Sequence, residues 1–124
     1  MLLAPASTGA AILDTFADAL TLGPKVRAGL ARRFEQRIGR PLADFDVLPL
    51  VDAAQRAGRL GSALIVHDRG DAVTSADASM LLAERWRGSR LLITEGLEHH
   101  RLLRADAVLT TAARFVGAES PAQT

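Results

Sequence analysis

Two groups 28 residues apart are the ones whose types and spacing could do chemistry. Asp71 ends the polar run His67-Asp68-Arg69-Gly70-Asp71, and His99 stands in Glu95-Gly96-Leu97-Glu98-His99-His100. A carboxylate beside an imidazole is an acid–base unit. The carboxylate orients the ring and stabilises its cation, while the ring takes a proton from a nucleophile and returns it to a leaving group. With a serine ahead of them in the chain, the pair would complete a Ser…Asp…His order. Asp68 is a second acid at the same turn and an alternative partner for the histidine. Plainer uses exist for both groups. An acid just before a helix is held by the first amides and the dipole, and His99 also reads as a partly exposed loop histidine next to His100.

The elements that must position these groups can be read from apolar patterning. Ala63-Leu64-Ile65-Val66 is a short apolar run that feeds the polar turn, as a buried parallel strand does. Arg90-Leu91-Leu92-Ile93-Thr94 is a second strand-like run that feeds the histidine loop over 95–101. Between them, the spacing predicts a helix over 75–86, capped by Ser75, with Leu81, Leu82 and Trp86 on its apolar face and Gly88 at its end. A last helix is predicted over 106–115, with Val108, Leu109, Ala112, Phe115 and Val116 inward. Strand, helix, strand, helix at this spacing is a βαβ unit with a parallel sheet. Ligands of open α/β sheets bind at the carboxyl ends of the strands, which is where Asp71 and His99 would lie.

Upstream, the apolar run Met1-Leu2-Leu3-Ala4, stopped by Pro5, admits a strand. Ile12, Leu13, Phe16, Ala17 and Leu20 predict a helix over 8–20, with Ser7 or Thr8 as its cap. Gly23-Pro24 starts another helix. Its stripe Val26, Leu30, Phe34 and Ile38 reads as core, or as an interface in a half-domain, and Gly39 and Pro41 close it. The arginines around that stripe read as a solvated face whose stems cover apolar surface. Residues 42–47 read as an irregular connection and 49–57 as a short helix.

Composition narrows the function classes. A chain of 124 residues with 48% apolar content supports one domain. Lys+Arg 15 against Asp+Glu 14 gives a net charge of +1, and aromatic residues make up 4%. Neither suits a nucleic-acid binder, which needs basic excess and stacking platforms. Without cysteine there is no disulfide framework, thiolate metal site or cysteine nucleophile. His67, His99, His100, Asp68 and Glu98 lack a His-x-x-x-His ligand pair. Gly58-Arg59-Leu60-Gly61 precedes a strand instead of following one, so it is no phosphate loop. The sequence therefore predicts no metal and no cofactor. It has no apolar run of ~20 residues for a membrane span and no basic leader, which predicts a cytoplasmic protein without a membrane partner. The tail over 117–124 is expected to fray.

Three stretches together resemble the C-terminal part of the α/β-hydrolase fold family. They are His67-Asp68-Arg69-Gly70-Asp71-Ala72-Val73-Thr74-Ser75, Trp86-Arg87-Gly88-Ser89-Arg90-Leu91 and Thr94-Glu95-Gly96-Leu97-Glu98-His99-His100-Arg101-Leu102-Leu103. The resemblance covers 63–116. It implies Asp71 in the acid position, His99 in the histidine position and Gly96 as the loop glycine. Leu2-Leu3-Ala4-Pro5 resembles the strand after the nucleophile. On this basis the fold class is α/β, a partial α/β-hydrolase fold of about three parallel strands with flanking helices. The chain 1–124 then divides into a helical cap-like segment over 8–58 and a βαβα segment over 59–117.

The sequence departs from the family at the nucleophile. It has no Gly-x-Ser-x-Gly: Ser7 lies in Ala6-Ser7-Thr8-Gly9 and Ser62 in Gly61-Ser62-Ala63. Glu98 stands where a small residue usually precedes the histidine, and Ser75 replaces a common proline. The resemblance thus implies a hydrolase of small ester-like substrates in its full-length form, with the serine supplied by an upstream segment or a partner chain and these 124 residues inactive alone. The alternative is a non-catalytic α/β module that homodimerises through an exposed sheet edge.

Overall fold

The computed structural model describes residues 1–119, so Ser120 to Thr124, the end of the tail expected to fray, lie outside the described residues. The chain forms two compact units. One joins Met1–Pro5 to the chain from Gly61 onward, and the other is Ala6–Leu60.

The first unit is an α/β layer structure around a three-stranded parallel sheet in the order β1-β2-β3. Its strands are β1 (Leu2–Leu3), β2 (Ala63–Asp68) and β3 (Ser89–Thr94). β1 pairs with β2 in the register Leu2↔Ile65 and Leu3↔Val66, and β2 pairs with β3 from Ala63↔Ser89 to Asp68↔Thr94. The central strand is buried at all six positions, as its branched apolar run requires. Successive side chains alternate between the two faces. Leu64 and Val66 join Ala4, Leu102 and Val108 in a core that Leu3, Leu92, Leu97, Ala105, Ala112 and Phe115 flank. The opposite face meets α4 (Ala76–Arg85), where Ser79 and Leu82 are buried. Burying Ile65 and Val66 completely stabilises the unit by about 1.5–3 kcal/mol each. α6 (Asp106–Glu119) closes the Leu64/Val66 side through Val108.

Several boundaries differ from the sequence reading. β2 runs two residues past Val66, through His67 and Asp68, because both polar side chains find partners inside. The loop 95–101 contains one helical turn, α5 (Glu98–Arg101), followed by a 3-10 turn at Leu102–Arg104. α6 extends beyond Phe115 to Glu119. Ser75 holds the position before α4, but its side chain makes no capping bond. Among the described residues, no helix is long and apolar enough to cross a membrane.

The second unit is helical: α1 (Gly9–Ala19), α2 (Pro24–Ile38), a 3-10 turn at Leu42–Phe45 and α3 (Val47–Arg56). Of the two possible caps of α1, Thr8 does the work: its Oγ1 accepts from the Ala11 N–H at 3.0 Å. Pro24 opens α2, and Gly39, in the left-handed conformation at φ 73°, closes it. Arg27, expected to be solvated, instead bonds to Asp18 of α1 and to the Leu22 carbonyl at 2.8 Å. α3 begins at Val47 instead of Pro49 because the Val47 N–H already has a partner in the Ser7 carbonyl, 3.0 Å away. The α2 stripe is largely exposed, with Val26 at 56% and Phe34 and Ile38 at 39%; Ile12 and Phe16 of α1 and Leu20 just after it are exposed too.

Backbone approach decides one glycine here. A Cβ on Gly9 would stand 2.3 Å from the Leu42 carbonyl oxygen, whereas one on Gly29, inside α2, would meet nothing within 4 Å. The two alanine substitutions therefore have opposite signs. Gly9→Ala should destabilise by about 1–3 kcal/mol through overpacking. Gly29→Ala should stabilise by about 0.5–1 kcal/mol through the backbone entropy of the helix interior. Urea unfolding of the two variants against the parent checks both signs.

Candidate functional site

Both site loops leave the carboxyl edge of the sheet, one after β2 and one after β3. Asp68, the last residue of β2, ties them together. Its Oδ1 accepts from the Gly70 N–H at 3.0 Å, and its Oδ2 accepts from the Thr94 hydroxyl at 2.8 Å and the Leu97 N–H at 3.0 Å. The Glu98 N–H adds a further donor. Burial alone would raise the Asp68 pKa, but the amides of Leu97, Gly70 and Glu98 and the Thr94 hydroxyl outweigh it and hold the group below the usual carboxylate range. Arg69 adds a backbone bond to the Thr94 carbonyl at 2.8 Å and an exposed ion pair with Glu95 at 3.2 Å. The exposed pair adds on the order of 0–1 kcal/mol.

Asp71 follows in a tight turn, its N–H donating to the Asp68 carbonyl at 3.2 Å. Its two oxygens have separate tasks. Oδ1 accepts from the Val73 and Thr74 amides at 2.7 and 2.9 Å. Oδ2 stands 2.8 Å from His99 Nδ1 and accepts from the Thr74 hydroxyl at 3.1 Å. Burial pushes the Asp71 carboxyl up, but the Thr74 amide, His99, the Val73 amide and the Thr74 hydroxyl more than reverse this and bring it to about 2. An ionised carboxylate can only accept, so His99 Nδ1 must carry the hydrogen, and the neutral ring then has Nε2 as its acceptor. The Asp71 side chain is fully enclosed, while that of His99 is 28% exposed. His100 packs edge-on against His99, with ring centroids 5.2 Å apart.

The histidine loop reaches this position through two left-handed residues, Gly96 at φ 78° and Glu98 at φ 58°. Glycine accepts that conformation freely. Glutamate does so at a cost of roughly 1–2 kcal/mol, which the Glu98 N–H bond to Asp68 helps to offset.

The structure thus brings Asp71 and His99 together and gives Asp68 a different task, bracing the two loops. His67 and Asp68 occupy opposite faces of β2, so the five histidines and acids near the loops do not converge. Among the described residues, no group of three or more histidines and acids could hold a metal ion. A cleft of about 430 Å³ opens beside the acid loop, lined by Arg69, Asp71, Val73, Thr74, Ser75 and Asp77 among others.

No protein-family model, no curated protein and no solved structure matches the chain. Three more residues complete the geometry of the site: Thr74 and Ser79, which sequence reasoning passed over, and His67, which it weighed only as a metal ligand. His67 is wholly buried beneath the acid loop. Its Nε2 faces the Thr74 carbonyl at 3.1 Å and Asp71 Oδ2 at 3.4 Å, and its Nδ1 lies 2.6 Å from Ser79 Oγ on α4. A carbonyl acceptor at Nε2 requires N–H there, so Nδ1 accepts from the Ser79 hydroxyl. Thr74 joins the acid loop to the residue that follows β1, with its hydroxyl 3.3 Å from the Ala4 carbonyl. The available signal was an Asp-x-x-Thr spacing for the local turn. A histidine and a serine 12 residues apart carried none. The serines of this unit with hydrogen-bonded hydroxyls, Ser79 and Ser89, serve His67 and the Ala83 carbonyl.

Two outcomes follow. Ser79→Ala leaves His67 Nδ1 buried without its donor and should cost about 1–3 kcal/mol, measured by chemical unfolding at neutral pH. Asp71 has a folded pKa depressed to about 2, so its stabilisation is present above the unfolded value of ~3.9 and lost as pH falls from about 4 to about 2. Asp68, lowered as well, contributes in the same direction. In a stability-against-pH series, Asp71→Asn should be less stable than the parent at pH 6. Its acid limb should be flatter by on the order of 2 kcal/mol, with the slope due to Asp68 remaining.

Proposed function

We propose that this chain carries the acid and histidine of an α/β-hydrolase-type triad, Asp71 and His99, within a hydrolase of small ester-like substrates. The observation that carries the reading is the 2.8 Å contact from His99 Nδ1 to an Asp71 oxygen whose carboxylate is kept ionised by three further donors, the Val73 and Thr74 amides and the Thr74 hydroxyl. That contact sets the tautomer a general base needs. Nε2 is the atom that would take a proton from a serine hydroxyl as it attacks an acyl carbon and then pass it to the departing alcohol oxygen. Asp71 stays charged throughout and stabilises the imidazolium. The nucleophile and its oxyanion donors belong, in this proposal, to a further segment or a partner chain.

A second reading keeps the same fold without catalysis. In the order β1-β2-β3 each outer strand is paired on one side within the sheet, and a free parallel edge is a template for another strand. Association of two copies through that edge would make the unit an interaction module.

Hydrolysis of a p-nitrophenyl ester separates these proposals from a self-sufficient enzyme. The 124 residues alone should give background turnover, unchanged by His99→Ala. Robust turnover abolished by that substitution would overturn the view that the nucleophile lies elsewhere. In a longer chain carrying a Gly-x-Ser-x-Gly elbow ahead of Met1, Asp71→Asn should lower kcat by about 10⁴-fold. Full activity in that variant would remove Asp71 from the mechanism.

A further inference from the structure

The amino edge of the sheet, opposite the acid and histidine loops, carries a second concavity. About 340 Å³ in volume, it lies between the start of β2 and β3 and the C-terminal half of α6, lined by Leu64, Arg90, Thr111, Arg114, Phe115 and Ala118. Arg90 pairs with Leu64 in the register of the sheet, so the two side chains share the face that α6 covers. Leu64 is buried and Phe115 packs against the core, which makes the floor apolar.

The polar lining is of one sign. Among the described side chains no acid lines the cavity, and the positions three and four residues from Arg114 along α6 are Thr110, Thr111, Gly117 and Ala118. Among the described side chains and backbone groups, neither the Arg90 nor the Arg114 guanidinium has an ion pair or hydrogen bond. The Thr111 hydroxyl already donates to the Ala107 carbonyl at 2.8 Å, so the guanidinium groups are the donors available to a ligand. Guanidinium forks match a planar carboxylate two bonds at a time. The volume is within the range of small-molecule pockets.

We propose that this cavity binds a small amphipathic carboxylate, its head between Arg90 and Arg114 and its apolar body on Leu64 and Phe115. Both charge and floor are needed. A carboxylate without an apolar body gains only screened attraction from exposed arginines, and an apolar body without the charge leaves the two cations unmatched. The site is independent of Asp71 and His99, which lie beyond the other end of the strands.

The test is a titration of the whole chain with octanoate, followed by amide NMR, with acetate, 1-octanol and inorganic phosphate as comparison probes. Octanoate should give saturable shifts at Leu64, Arg90, Arg114 and Phe115. Arg90→Gln and Arg114→Gln, both at exposed positions and checked for unchanged circular dichroism, should each weaken it at least about tenfold. Acetate, octanol and phosphate should each bind at least about tenfold more weakly than octanoate. Absence of saturable shifts, shifts centred on Asp71 and His99, affinity unchanged in both arginine variants, or octanol or phosphate matching octanoate would each overturn the proposal.

Discussion

Two consecutive polar residues, His67 and Asp68, are wholly buried at the end of the central strand, and the rest of the α/β unit is arranged to satisfy them. A buried polar group without partners costs several kcal/mol, and a buried charge costs more. Alternation along β2 sends the two side chains to opposite faces, so each recruits a different set. On one face Asp68 gathers the Gly70, Leu97 and Glu98 amides and the Thr94 hydroxyl. On the other, His67 takes Ser79 from α4 and the Thr74 carbonyl. The acid loop and the histidine loop are therefore both bonded to these two residues, and the positions of Asp71 and His99 are consequences of that bonding.

This arrangement also explains why the candidate pair is held without extensive apolar packing of its own. His99 is reached through a loop with two left-handed residues, a conformation that would open readily if nothing closed it. Asp68 closes it at Leu97 and Glu98, immediately before the histidine. The Thr94 hydroxyl fixes the preceding strand end to the same carboxylate. The result is a histidine positioned from behind by backbone amides and from the side by Asp71, with part of its ring open to solvent.

The strands and the helices of the α/β unit were legible because burial writes itself into apolar runs: Leu64, Ile65 and Val66 announce β2, and Val108, Ala112 and Phe115 announce α6. The end of β2 was not legible, because a buried His-Asp pair looks like a turn until its partners are known, and one of these, the Leu97 amide, lies 29 residues away. Sequence left Asp68 and Asp71 as alternatives for the same reason. Both follow the same apolar run, and only the alternation of the strand, continued through His67, directs Asp68 across the sheet to the histidine loop backbone. Periodicity had a different shortcoming in α1 and α2. It found the helices, yet Phe16, Val26 and Phe34 are exposed, since an apolar stripe specifies that a face exists and says nothing of what covers it. Gly9, by contrast, has no sequence signal at all; its need arises only from the approach of the Leu42 carbonyl.

The structural and chemical uses of Asp71 first look like competing explanations, one a helix-start acid held by amides, the other the partner of an imidazole. Its geometry divides them between the two oxygens. Oδ1 is committed to the Val73 and Thr74 amides, which fix the side-chain torsions and lead the chain into α4. Oδ2 is thereby aimed at His99. The same amides that brace the turn keep the carboxylate ionised, and an ionised carboxylate is what dictates the ring's tautomer. Bracing the turn is thus the means by which the carboxylate acquires the direction and charge that acid–base chemistry at His99 would require.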